Sequence, residues 1–399
     1  MAKKILLLPS WYPNTNNKHG SYFLEQAQFL SEHKFDVKVL MVEELQTKNF
    51  YFQCIKRWFK RLPYRLSQTY LEQNPSAYSF PLIIQKSWSD EKKLRQLDKA
   101  YLNAFKELAA TCNWFPDVVH VQSVYKYGVS SYKVAKANNL PLVVIEHSPF
   151  KLSLYNKTYQ ERIKNLFNYA SRIAGVSSYH KSCLASIDAA KRIEVVWNLT
   201  DEQKFLNKPS LNKTNHFIIT TVLRVSAIKD PITFFDAILE FVDSYSGTRE
   251  VEVHVVGMSC LQELTNLKEI DSNDITKYTK LNSVLHFHSW LDRSQMTELY
   301  QKSAVFVSTS LEESFGLSIR EAMLCGAVVI ATKSGGPEDT VKQDTGFLVE
   351  IGDAEAIAKH LKKIYDGNVN FDRTQLRDFV ISQSGRKAFL KRMEKLYDV

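Results

Sequence analysis

Short apolar runs alternate with stretches of helical spacing along the whole chain. In the first half Lys4–Pro9, Asp36–Val42, Asp117–Val121, Leu140–Glu146, Arg172–Val176 and Ile193–Val196 read as strands. In the second half Phe217–Leu223, Val251–Val256, Leu285–Leu291, Ala304–Val307, Ala327–Ala331 and Thr345–Val349 do the same, the third as strand and turn, the last as a short strand or hairpin. Most are continuous, Val- and Ile-rich runs rather than strict alternations, the pattern of strands buried on both faces of a parallel sheet. Between them Ser21–Leu30, Leu94–Leu108, Ala354–Tyr365 and Gly385–Tyr397 return apolar residues every three or four positions, the signature of amphipathic helices. Strand–helix alternation through both halves predicts two α/β domains, 1–205 and 206–379, each built on a parallel sheet and facing one another across a cleft. Polar Leu206–Asn215, with Pro209, reads as the linker.

The stretch Ser308–Gly326, STSLEESFGLSIREAMLCG, is where this pattern acquires chemistry. A buried strand runs into a polar loop, and a helix opens at Phe315-Gly316. That places several backbone N–H groups and the positive end of a helix dipole at a strand's carboxyl edge, an arrangement that favours phosphate. Gly316 lets a ligand approach the backbone, where a Cβ would intrude. Glu313 lies in the loop and Glu321 inside the helix. Carboxylates accept hydrogen bonds from vicinal hydroxyls, so loop acid to one ring, helix acid to the other and diphosphate between them fits a sugar nucleotide. The segment Lys333–Asp339 offers a second glycine turn that would open a helix at Pro337.

Glu313 and Glu321 form an E-x7-E pair that encloses Phe315-Gly316 and precedes Ala322-Met323, and VLRVSAIKDP supplies an Arg-x4-Lys pair at Arg224 and Lys229. This resembles glycosyltransferase family 4, retaining enzymes of the GT-B fold with two Rossmann-like domains. The resemblance implies an N-terminal acceptor domain and a C-terminal nucleotide-sugar domain, with residues 380–399 crossing back onto the first. It makes Glu313 the holder of donor-sugar hydroxyls beside the Phe315, Gly316 and Leu317 amides, and Glu321 the holder of the ribose diol. Arg224 and Lys229 would neutralise the departing diphosphate, Gly20 would touch it from the first domain, and Asn198, Trp290 and Leu291 would complete the donor site. His147, in a Glu-His-Ser turn, is the candidate acid–base or sugar-facing group. The chain departs from the family at His120-x-Gln122, where a second histidine is usual, at Leu199, and at Ser289, where a glycine is usual.

The implied reaction moves a sugar from a UDP- or GDP-linked donor to a hydroxyl of a glycan or lipid-linked acceptor, in polysaccharide or glycoconjugate synthesis. The rival readings are a GT-B sugar-nucleotide epimerase and a non-catalytic scaffold. No Asp-x-Asp occurs, so neither a metal nor another cofactor is expected, the nucleotide sugar being co-substrate. The absence of G-x-G-x-x-G and G-x4-G-K-[ST] argues against a dehydrogenase and a P-loop enzyme.

Composition narrows the setting. With 44% apolar and 24% charged residues, the 399-residue chain is globular in type, and its net charge of +9 points to anionic partners without any nucleic-acid motif. No apolar run approaches the roughly 20 residues that span a bilayer, and Pro9 ends the first one too early for a signal peptide. Five scattered cysteines support neither a disulfide framework nor a zinc site. The expected location is the cytoplasm, or the cytoplasmic face of a membrane. The membrane enters through Phe50–Arg65, where Phe52, Ile55, Phe59 and Leu62 form one stripe and Lys56, Arg57, Lys60 and Arg61 crowd the other side. Such a segment either lies on an anionic bilayer or packs its stripe into the first domain.

Overall fold

The computed structural model describes residues 2–13, 20–60, 62, 64–69, 74–187, 192–207, 216–267 and 275–399. Residues 14–19 of the first glycine-ended loop, 61 and 63 of the basic segment and 208–215 of the expected linker lie outside that set. The chain divides into two units. One comprises residues 1–176, 181–196 and 390–399, and the other 177–180 and 197–389.

The first unit is built on eight strands: β1 (Lys3–Pro9), β2 (Phe35–Thr47), β3 (Ser67–Thr69), β4 (Ser76–Gln85), β5 (Val118–Gln122), β6 (Leu142–Glu146), β7 (Arg172–Gly175) and β8 (Ile193–Val195). Their order is β3-β4-β2-β1-β5-β6-β7-β8, parallel throughout except for β3. The apolar runs became central strands because both faces are covered: Leu6, Leu8, Val119, Val121 and Val144 pack with Leu97, Tyr101 and Leu108 of the helix Asp90–Cys112, while Ile5 and Leu7 are equally buried. That helix begins at Ser89, whose side chain accepts from the Lys92 N–H.

Six strands form the second sheet: β9 (His216–Val222), β10 (Glu250–Val256), β11 (Leu285–His288), β12 (Val305–Ser308), β13 (Val328–Thr332) and β14 (Gly346–Val349). The order is β11-β10-β9-β12-β13-β14, all parallel, so the Thr345–Val349 run is a parallel edge strand and not a hairpin. Asp353 caps the helix Ala354–Tyr365 through the Ala356 N–H at 2.9 Å. In both sheets the strand order reverses at the centre, between β1 and β5 and between β9 and β12. Ligands of open α/β sheets gather at such carboxyl-edge crevices.

Besides β3 and β4, which no apolar run marked, two placements were not legible in the apolar pattern. The helix Phe50–Phe59 buries none of its residues, and Tyr51, Trp58 and Phe59 are 80%, 74% and 72% exposed. Its stripe does not pack inward. Second, Leu390–Val399 join the first unit, where the Tyr397 hydroxyl meets His120 Nδ1 at 2.8 Å and Lys3 donates to the Tyr397 carbonyl.

His120 is fully buried, and burial pushes it down to about 3. The unfolded chain takes up a proton there near pH 6.5, whereas the folded chain does not until far lower. Stability therefore falls as pH drops through 6.5, and continues to fall toward 3. Between pH 7.5 and pH 5 this one group removes about 2 kcal/mol. Urea unfolding of the unaltered chain and of His120→Asn should show that difference in pH dependence, and parallel profiles would contradict it.

Candidate functional site

The second sheet's switch point presents two loops. After β9 the chain passes Arg224 and a short turn, Ala227–Lys229, before the helix Pro231–Ser244. After β12 it runs through residues 309–316 into the helix Leu317–Leu324. These loops are tied together: the Thr309 hydroxyl donates to the carbonyls of Lys229 (3.0 Å) and Asp230 (2.9 Å), and the Leu311 N–H donates to the Ile228 carbonyl at 2.8 Å. A third segment is bonded to the second loop, with the Glu313 N–H donating to Ser334 O and the Gly336 N–H to Glu313 O at 2.8 and 2.7 Å.

Gly316, not Phe315, caps the helix, in the left-handed conformation (φ 79°, ψ 54°) and with no side chain bonding the first turn. The amides of Leu317, Ser318 and Ile319 have no acceptor within the helix, which leaves an anion-binding terminus. The Lys333–Asp339 terminus is different. It is a single short turn, Gly336–Asp339, and Glu338 reaches back to accept from the Gly335 N–H at 2.7 Å. Its own carboxylate fills the position that sequence assigned to a second anion.

Lys229 Nζ donates to Glu313 Oε2 at 2.6 Å and lies 3.4 Å from Ser310 Oγ, while Glu313 Oε1 accepts from the Gly316 N–H at 3.3 Å. The acid and the base assigned to different parts of the donor are thus one ion pair at the mouth of the helix. Arg224 is exposed, and among the described residues no hydrogen bond or ion pair engages its side chain. Further along the helix the buried Glu321 is held by Arg293, which sequence reasoning missed. A cation at the first position of a helix opposes the dipole, so Arg293, directly after the Asp292 cap, was the available signal. Trp290 is exposed, Leu291 packs against the adjoining core, and Asn198 is buried near the start of the second unit.

Gly20 and His147 belong to the first unit. Gly20 starts the helix Ser21–His33 at φ 86°, and a Cβ there would stand 2.8 Å from the Trp11 backbone. His147 Nδ1 is 2.8 Å from the Tyr22 hydroxyl, which accepts from Gln26 Nε2 at 2.6 Å; Gln122 Nε2 in turn donates to Gln26 Oε1 at 3.2 Å. Gln122 therefore anchors a chain of polar groups that ends on His147, while His120, two residues earlier on the same face of β5, meets Tyr397 instead. Glu146 is buried, and burial raises its pKa against three backbone N–H groups, from Ser148, Val124 and His147, that favour the charged form. It fixes the turn that carries His147. A cavity of about 420 Å³ at the carboxyl end of β1, alongside Met41–Glu44 of β2, is lined by Trp11, Tyr12, Tyr101 and Tyr127, with Glu44 and Lys126.

Fold and site thus define a two-domain α/β protein with an anion-binding helix terminus framed by carboxylates and cations. The profile of Glycosyltransferase Family 4 matches residues 20–204, and that of Glycosyl transferases group 1 matches residues 202–379. The chain belongs to this family of glycosyltransferases. N-acetyl-alpha-D-glucosaminyl L-malate synthase of Bacillus anthracis is 22% identical over 319 residues, 74% of this chain and 76% of that protein. Sucrose synthase 5 of Arabidopsis thaliana is 28% identical over 163 residues, 35% of this chain but only 19% of that enzyme's length. Among solved structures, Anabaena HepE in complex with UDP superposes with a TM-score of 0.70 at 18% identity, covering 99% of this chain and 100% of that one. Sucrose-phosphate synthase of Thermosynechococcus elongatus gives 0.68 at 19%, covering 99% and 98%. The shared architecture is GT-B.

Gly336 tests how tightly the loop is built. A Cβ there would lie 2.6 Å from the Phe315 nitrogen and 2.7 Å from the Ser314 carbonyl carbon, both backbone. Gly336→Ala should therefore destabilise the second unit by about 2 kcal/mol, read as a lower denaturant midpoint. An unchanged midpoint would show that the loop yields freely.

Proposed function

We propose that the chain transfers a glycosyl group from a UDP- or GDP-linked sugar to a hydroxyl of a glycan or lipid-linked acceptor, with retention at the anomeric carbon. The observation that carries this reading is the uncapped terminus at Gly316 with the Lys229–Glu313 pair against it. The diphosphate sits on the Leu317–Ile319 amides. Lys229 and Arg224 take the negative charge that grows on it as the glycosidic bond breaks, stabilising the transition state more than the bound donor. Glu313 accepts from sugar hydroxyls once Lys229 turns to phosphate. Glu321, held in place by Arg293, accepts from the ribose diol, and Trp290 and Leu291 lie on the base side. The helix dipole and two cations balance the diphosphate without a carboxylate-held metal. The departing phosphate oxygen assists same-face attack by the acceptor.

The tyrosine- and tryptophan-lined cavity of the first unit has the walls a saccharide needs, apolar ring faces with a carboxylate and an ammonium at the rim. His147, oriented through Tyr22, is the proposed sugar-facing group of this unit. HepE structures described as holding UDP and UDP-glucose support the donor class. The exposed helix Phe50–Phe59, with Lys56, Arg57 and Lys60, supports attachment to an anionic membrane surface, consistent with a lipid-linked acceptor. Among the described residues no helix is long and apolar enough to cross a membrane.

Arg224→Ala and Lys229→Ala should each lower kcat about a hundredfold with the donor that a thermal-shift panel of nucleotide sugars identifies. Full turnover in both variants would refute the assigned roles. Reversing Lys56 and Lys60 to Glu should weaken co-sedimentation with phosphatidylserine vesicles by about tenfold or more, since each cation is worth about 1 kcal/mol at such a surface. Equal pelleting would remove the membrane from the account.

A further inference from the structure

Four of the chain's ten histidines, His216, His254, His286 and His288, lie on one face of the second sheet, together with Glu250 and Glu252. Strand register explains the clustering. His254 of β10 pairs with His286 of the edge strand β11, Val256 pairs with His288, and Glu250 pairs with His216 of β9. Period-two alternation then sends Val251, Val253 and Val255 into the core and Glu250, Glu252 and His254 to the opposite face. The residues sit on strands, so their spacing is set by the ladder and not by a mobile loop.

The side chains converge. His254 Nε2 is 3.1 Å from Glu252 Oε2, His254 Nδ1 is 3.0 Å from His288 Nε2, and His216 Nδ1 is 2.5 Å from Glu252 Oε1. The His286 ring stacks on His254 with centroids 4.9 Å apart. One ligand atom from each of Glu252, His254 and His286 lies within 4.8 Å of the others. Around a tetrahedral cation bound at about 2.0–2.2 Å, neighbouring ligand atoms stand about 3.3 Å apart, so cation binding would draw these three side chains closer together. From these positions we infer that Glu252, His254 and His286 form a binding site for a divalent transition cation of the zinc class.

His288 has a natural place in such a site. A ligating imidazole usually donates its other N–H to an acceptor that fixes its tautomer; His288 Nε2 stands where His254 Nδ1–H would donate, leaving His254 Nε2 to the cation. A hydrogen-bonded relay from His288 through His254 to Glu252 would satisfy those three groups without any metal, but it gives His286 no part. His286 thus separates the two arrangements. Two nitrogens and a carboxylate suit Zn²⁺, Co²⁺ or Ni²⁺ and not Mg²⁺. The cation would pin β11 to β10 just before Trp290 and Arg293, and it shares no residue with the proposed donor site.

The full chain, with its affinity tag removed and stripped by EDTA dialysis, is titrated with Zn²⁺ by calorimetry and with Co²⁺ by visible absorption. One equivalent should bind with Kd of about 10 µM or tighter, with the intense visible bands of four-coordinate Co²⁺. His286→Ala and His254→Ala should each weaken binding about tenfold or more, while His33→Gln, elsewhere in the chain, leaves it unchanged. His286 is exposed, so its variant decides the matter even if His254→Ala does not fold. Uptake only near millimolar metal, or an unchanged Kd in His286→Ala, overturns the site. These readouts do not depend on turnover.

Discussion

A helix that begins at glycine brings no side chain to bond its own first amides. At Leu317–Leu324 that omission sits at the point where the second sheet's strand order reverses, and the groups around it are arranged by the consequence. Lys229 and Glu313 reach it from two separate loops, joined to each other at 2.6 Å. Thr309 and Leu311 hold those loops in register, and Gly336 lets a third segment lie against them with backbone in direct contact. Before any ligand enters, a partial positive terminus, a cation and an anion meet there, a net positive site. In the proposed reading a diphosphate would add negative charge where donors already point, and the carboxylate it displaced from Lys229 would then be available to hydroxyl groups.

The two units apply the same rule to different tasks. In the first, the switch between β1 and β5 is closed by Ser10, whose N–H and hydroxyl donate to the carbonyls of Gln122 and Ser123, each at 3.0 Å. Ser123 and Lys126, at φ 69° and 63°, hold the following turn in a conformation that non-glycine residues rarely adopt. Such strain persists only where the surroundings over-determine it, and here it borders the aromatic cavity. Buried Glu146 ties this turn to the one bearing His147, accepting from the Val124 and His147 amides.

Much of the architecture was legible because parallel strands buried on both faces leave an unmistakable apolar run. The E-x7-E helix was legible because its spacing is local. What escaped was set by distant partners. The Lys229–Glu313 pair joins residues 84 positions apart, and Arg293 meets Glu321 only because a helix follows the edge strand. Periodicity showed that Phe50–Phe59 is amphipathic, yet it could not say whether anything covers the stripe, since that depends on how β2 and β4 place the helix. The Pro337 terminus was misjudged for a related reason: a glutamate three residues after a glycine can cap the turn itself, and Glu338 does so.

The account rests on the claim that the Leu317–Leu324 terminus grips a diphosphate between Lys229 and Arg224. The most direct measurement is a crystal structure of the chain with UDP, or with the nucleoside diphosphate that binds most tightly. The account predicts phosphate oxygens within hydrogen-bond distance of the Leu317 and Ser318 amides, Lys229 Nζ moved from Glu313 onto phosphate, and Glu321 on the ribose. A diphosphate bound elsewhere, with the Lys229–Glu313 pair unbroken, would contradict it.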